Sequence, residues 1–136
     1  MIVADTSGLL ALFNSAEPAH REVVAALAEE RDALVVSPFV VAELDYLIAT
    51  RVGQAEALNV VKELAGGAYD LAAIDTDDLE VVSEVMSRYR EHGIGVADAS
   101  LVLLADRYAT RRVLTLDRRH FDVLRSLGGE AFEIVP

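Results

Sequence analysis

Ile2-Val3-Ala4-Asp5-Thr6-Ser7-Gly8-Leu9-Leu10-Ala11-Leu12-Phe13 opens the chain, and its reading decides the fold. Ile2-Val3-Ala4 is too short an apolar run for a helix and suits a strand buried on both faces. Asp5-Thr6-Ser7-Gly8 follows at once, and Leu9, Leu10, Leu12 and Phe13 then supply the apolar side of a short helix. A buried strand feeding directly into a helix is the first half of a βαβ unit. The same alternation continues downstream. Leu34-Val35-Val36, Leu71-Ala72-Ala73-Ile74, Val113-Leu114-Thr115-Leu116 and Phe132-Glu133-Ile134-Val135 are the further strand candidates. Pro18 suits the first turn of a helix carrying Val23, Val24, Leu27 and Ala28. Ser37-Pro38 starts a helix that runs to about Thr50, with Ser as cap and Pro at the first helical position. Another helix carries Ala57, Leu58, Val61 and Leu64 and ends at Gly66-Gly67. Two more are predicted from Thr76 to about Glu91, and from Val96 to about Ala109. The pattern predicts an α/β fold: a three-layer sandwich with a central, mostly parallel sheet of about five strands flanked by helices, occupying residues 1–136 as a single domain.

Composition narrows the chemistry. Residues 1–136 amount to one domain's worth of chain, and a hydrophobic fraction of 53% excludes disorder. The absence of Cys removes disulfides, thiolate metal sites and Cys nucleophiles. No apolar run approaches the roughly 18 residues that a membrane span requires. The N-terminus lacks a signal-peptide pattern, so a soluble, cytoplasmic protein with no membrane partner is expected. The net charge of −11 argues against gripping nucleic acid by bulk positive charge. A nucleic-acid enzyme would need a metal ion or a cationic partner to offset it. Eleven of the twelve basic residues are Arg, and Lys62 is the single Lys.

Against that acidic background, four carboxylates stand out by position. Asp5 and Asp117 each follow an apolar strand, and in open parallel sheets ligands bind beyond the carboxyl ends of the strands. A turn-forming or capping Asp would occupy the same places. On a helical wheel Glu43 falls between Phe39 and Leu47, close to Val40 and Leu44, on what reads as the apolar face. Either it is buried at a cost of several kcal/mol or it reaches out to water from an edge. Asp45 lies toward the other side. Asp98 opens a strongly apolar helix, where a first-turn acid also complements the dipole. Two carboxylates about 4 Å apart repel by about 4 kcal/mol at an effective dielectric near 20, so four converging acids would demand a cation or shared protons. Oxygen ligands without Cys or paired His select Mg²⁺ or Mn²⁺, the ions of phosphoryl chemistry.

The remaining candidates read more plainly. Asp75, Asp77, Asp78 and Glu80 form a second acidic group, read as a helix N-terminus complementing its dipole. His20, His92 and His120 share no metal-ligand spacing. Arg118 and Arg119 follow Asp117 and serve either as a phosphate clamp or as a solvated pair.

Four short runs then resemble, in order, the motifs of PIN-domain ribonucleases. Val3-Ala4-Asp5-Thr6-Ser7-Gly8-Leu9 is similar to their opening motif, Val41-Ala42-Glu43-Leu44 to the second and Val96-Ala97-Asp98-Ala99 to the third. Thr115-Leu116-Asp117 with Phe121 is similar to the fourth. The size and layout resemble the VapC toxins of bacterial toxin–antitoxin pairs. The resemblance implies one acidic pocket in which Asp5, Glu43, Asp98 and Asp117 hold one or two Mg²⁺ or Mn²⁺ ions. Asp5 and Asp98 would be the main ligands. Thr6, Ser7 and Thr115 would supply hydroxyl hydrogen bonds, and Arg118 and Arg119 substrate contacts. It implies hydrolysis of an RNA phosphodiester by metal-activated water, a cognate antitoxin protein as partner, and a homodimer. A PIN ribonuclease of RNA processing, or an inactive PIN-like binding module, would carry the same fold. A haloacid-dehalogenase-type phosphatase would want Asp where Ser7 stands. A response-regulator receiver would want a Lys beyond a late strand, whereas Lys62 lies in a predicted helix.

Overall fold

In the computed structural model, which describes residues 1–136, the chain alternates short strands with helices throughout. In order these are β1 (Ile2–Ala4), α1 (Thr6–Phe13), α2 (His20–Leu27), β2 (Leu34–Val36), α3 (Pro38–Arg51) and α4 (Gln54–Ala65). β3 (Asp70–Leu71), α5 (Thr76–Arg88), α6 (Val96–Arg107), β4 (Arg112–Leu114), α7 (Arg118–Phe121) and β5 (Glu133–Val135) complete it, with a 3-10 turn at Arg90–His92 between α5 and α6. The five strands form one sheet in the order β3-β2-β1-β4-β5, and every pairing is parallel. β1 is central: Val3 pairs with Val35 on one side and Val113 on the other. All three residues of β1 and of β2 are buried, as expected for a sheet covered on both faces.

The order reverses between β1 and β4. From β1 the chain builds outward through β2 and β3, then returns to the other side of β1 for β4 and β5. The crevice beyond the carboxyl ends of such a pair is where open α/β sheets place their ligands. Asp5 leaves β1 there, and Thr115 leaves β4. Gly8 makes the approach possible. A Cβ at this position would stand 2.6 Å from Leu114 Cγ and 2.7 Å from the Leu114 carbonyl oxygen. The first turns of α1 can therefore lie directly on β4 only without a side chain there.

α6 is almost wholly buried, from Ala97 through Ala105 except for Asp98. It packs against α5, α3 and β1. Ser37, the N-cap of α3, accepts the Phe39 backbone N–H at 3.2 Å and lies 2.7 Å from the Ser100 hydroxyl of α6. Both hydroxyls are buried, so this contact ties together the helices that carry Glu43 and Asp98.

Several sequence expectations shift. β3 pairs at Asp70–Leu71 rather than Leu71–Ile74, because this edge strand matches only the last two residues of β2. Pro18 lies in the turn before α2 rather than in its first helical turn. α5 stops at Arg88, and the chain closes with the 3-10 turn before Gly93, whose φ of 66° only glycine adopts freely. Of the two readings of Glu43, the structure has the outward one: α3 buries Val40, Leu44 and Ile48, and Glu43 is exposed. No helix is long and apolar enough to cross a membrane.

Candidate active site

The largest cleft of the molecule, about 540 Å³, opens beyond the carboxyl ends of β1 and β4. Asp5, Glu43, Asp98 and Asp117 all line it, as do Thr6 and Ser7. The four acids picked out from sequence therefore share one site.

Asp5 is the most constrained of them, with only 4% of its surface exposed. It occupies the N-cap position of α1 yet makes no capping hydrogen bond. Its Oδ2 instead accepts the Ser7 hydroxyl at 2.8 Å and the Thr115 hydroxyl at 2.7 Å. Those hydroxyls are themselves fixed: the Leu116 backbone N–H donates to Ser7 Oγ, and the Asp117 N–H donates to Thr115 Oγ1, both at 2.9 Å. Oδ1 of Asp5 makes no hydrogen bond. The turn reading of Asp5 fails on these contacts. The carboxylate is locked from behind and keeps one oxygen unshared.

Asp117 likewise sits at an N-cap position, that of α7, without capping it. Its Oδ1 is buried and has no hydrogen-bond partner, the nearest cation being Arg119 Nε at 3.5 Å. Asp98 lies in the first turn of α6. Burial pushes its carboxyl up to about 6; the neighbouring Asp5 charge adds to the rise, His120 opposes it, and Asp117 raises it a little further. A carboxylate resisted by its surroundings in this way is uncomfortable as an anion until something positive arrives. Glu43 reaches the cleft from the exposed side of α3 and forms no ion pair.

His120 was not apparent from spacing. Its Nδ1 lies 2.6 Å from Asp98 Oδ2, close enough for one proton to be shared, and 3.5 Å from Asp117 Oδ2. The imidazole thus stands between two of the acids. The missed signal is its place three residues after Asp117, one turn along a short helix. Arg51, at the end of α3, also lines the cleft and was not singled out from sequence. Arg118 and Arg119 are exposed and stand outside the lining. The Thr6 hydroxyl is buried without a partner, while Thr115 is bonded as expected.

The donor set suits a hard divalent cation. It offers carboxylate oxygens, an orphaned buried oxygen on Asp117, an unshared oxygen on Asp5 and an Asp98 whose burial and acidic neighbours outweigh the help of His120. As placed, no three carboxylate or imidazole groups close to metal-binding distance.

Comparison with known proteins gives the family. The family model described as PIN domain matches residues 2–126. Ribonuclease VapC26 of Mycobacterium tuberculosis is 53% identical over 135 residues, covering 99% of this chain and 100% of that protein. Among solved structures, M. tuberculosis VapC20, described as a sarcin-ricin loop cleaving toxin, superposes with a TM-score of 0.80 at 20% identity, covering 86% of this chain and 90% of that one. VapBC2 from Rickettsia felis, bound to a DNA fragment from its promoter, gives 0.70 at 15% identity over 100% of both chains.

Proposed function

The chain belongs to the PIN-domain family and is a homologue of a VapC ribonuclease along its whole length, and from that premise we propose that it is a metal-dependent endoribonuclease acting as the toxin of a toxin–antitoxin pair. The observation that carries this reading is the meeting of Asp5, Glu43, Asp98 and Asp117 in one cleft at the switch point of the sheet. The reaction is hydrolysis of an RNA phosphodiester. A water oxygen attacks phosphorus, the bond to the 3′ oxygen breaks, and the products carry 5′-phosphate and 3′-hydroxyl ends.

Asp5 and Asp98 would hold Mg²⁺ or Mn²⁺, with Asp117 as a further ligand. Bound there, the ion would supply an acidified water and offset charge on the phosphate oxygens. The chain's own residues do the rest. Ser7 and Thr115 fix Asp5 through its Oδ2, so that its other oxygen needs no reorganisation to engage a cation. Thr6 brings an unpartnered hydroxyl to the same wall. His120 steadies Asp98 through Nδ1. Glu43, free of partners, orients the attacking water. Arg118 and Arg119, exposed beside Asp117, receive the RNA outside the cleft. The protein works in the cytoplasm as a homodimer, and a cognate antitoxin protein silences it by covering the cleft.

Incubating total cellular RNA with purified protein in Mg²⁺, Mn²⁺ or EDTA, beside Asp98→Ala, tests the reading. Discrete cuts that require both the metal and Asp98 are expected. Folded, antitoxin-free protein that leaves RNA intact with either metal would overturn it.

A further inference from the structure

The acidic cleft has one cationic end. Glu43, Leu47 and Arg51 are the residues of α3 that line it, and their four-residue spacing sets them in one row along the helix. Glu43 and Arg51 are thereby about 12 Å apart along the helix axis. Arg51 pairs with none of the four acids and lines the same cleft two turns along α3 from Glu43, which suits a phosphate flanking the scissile one. Leu47 and the exposed Val96 give the stretch between them apolar surface, against which a nucleotide's sugar or base can rest.

Arg51 is also free to act. Its one charged neighbour is Glu17, at 3.9 Å, too far for a hydrogen bond, and its side chain is 56% exposed. A pair of that kind contributes little and exchanges readily for a better anion. Other arginines are engaged elsewhere. Arg107 holds Asp78 at 2.7 Å, Arg112 holds Glu30 at 2.8 Å, and Arg125 donates to the carbonyls of Asp122 and Leu124. Apart from His120, Arg51 is the only basic side chain lining the cleft.

We propose that Arg51 is the phosphate-binding residue of an RNA subsite flanking the scissile position, so that single-stranded RNA lies along α3 from Glu43 to Arg51. This rests on the ribonuclease reading. A planar guanidinium can take two phosphate oxygens at once, which a neutral side chain cannot reproduce. It also gives a chain of net charge −11 a local foothold for a polyanion without a basic surface.

The test measures binding of a short, fluorescently labelled single-stranded RNA of mixed sequence over a series of KCl concentrations. It uses an Asp98→Asn background, in which binding is read without cleavage. Arg51→Ala is compared with Arg88→Ala, which changes the net charge equally but lies at the end of α5, outside the cleft. Arg51→Ala is expected to weaken binding about tenfold and to make the salt dependence shallower by about one counterion. Arg51→Lys should restore the salt slope and only part of the affinity. Arg88→Ala should change neither. Cleavage of total RNA by protein with Asp98 intact is followed in parallel. Cleavage there, with Arg51→Ala matching Arg88→Ala in affinity and salt slope, overturns the Arg51 assignment alone. Absence of both cleavage and RNA binding removes the ribonuclease reading and the subsite together.

Discussion

Two groups of carboxylates in this molecule have opposite environments. At the start of α5, Asp75 and Asp78 form a capping box: each side chain accepts the other's backbone N–H at 2.9 Å, and Arg107 reaches Asp78 at 2.7 Å. The backbone bond from Asp75 and the Arg107 contact hold the Asp78 carboxyl below its ordinary value. In the cleft, Asp98 is pushed the other way, up to about 6, by burial and by Asp5. Asp5 and Asp117 also occupy N-cap positions, yet neither caps its helix. An acidic cluster is structural where the chain itself answers its charge. It suits a cation where the chain answers that charge only in part, as His120 does for Asp98, and leaves an oxygen of Asp117 without a partner.

The sharpest way to separate the clusters is to remove one acid from each. Asp98→Ala should lower RNA cleavage by about a thousandfold, roughly 4 kcal/mol of transition-state stabilisation, while circular dichroism shows an intact fold. Cleavage within tenfold of the unaltered protein would place Asp98 with the structural acids.

The packing that assembles the cleft should be the next most sensitive element. Gly8→Ala sets a methyl against the Leu114 carbonyl and side chain, which must move. A loss of about 1–3 kcal/mol in urea unfolding is expected, with weaker cleavage because Asp5 and Thr115 separate. Unchanged stability would mean that α1 can shift without disturbing β4.

Asp75→Ala should be milder. Loss of an N-cap costs about 1 kcal/mol, seen as a lower unfolding midpoint, and cleavage should stay as it was. A large fall in cleavage would erase the distinction between the clusters.

The smallest effect is a difference in pH slope, read on metal-free protein. For Asp98 the folded value, about 6, lies above the ordinary 3.8. Between these values the folded state keeps a proton that the unfolded chain has lost, so stability falls as pH rises through that window. Asp78 has the opposite sign: its contribution is present above the ordinary value and lost as pH falls through the lower folded one. Asp98→Asn should therefore flatten the decline between pH 4 and 6 in a melting series and raise the melting temperature near neutrality. Asp78→Asn should remove only the acid-side loss.

Legibility in the sequence follows the same division. β1, β2 and β4 were readable because each is a short apolar run flanked by polar or turn residues, and the acids at their ends followed from the topology of parallel sheets. β3 was misplaced because an edge strand with one partner needs few apolar residues. Of the two readings of Glu43 the outward one holds; the wheel alone does not choose it, because α3 carries Val41, Tyr46 and Leu47 as well as its buried row Val40, Leu44 and Ile48. A wheel with apolar residues on several sides does not identify the covered one. His120 and Arg51 escaped because their roles come from tertiary placement. A search for paired histidines finds neither an imidazole lodged between two carboxylates nor an arginine two turns along a helix from a Glu.

The hydrogen bond from Thr115 to Asp5 spans 110 residues of chain, and that separation sets a clock. At roughly 5–20 residues per second, about 5–20 s of synthesis lie between the two halves of that contact. Until β4 is made, β1 has one open edge and Asp5 lacks its Thr115 hydroxyl. The cutting site is thus among the last features a newly made chain can complete. A chain interrupted before residue 115 carries Asp5, Glu43 and Asp98 but lacks both Thr115 and Asp117, so its acidic cleft is unfinished.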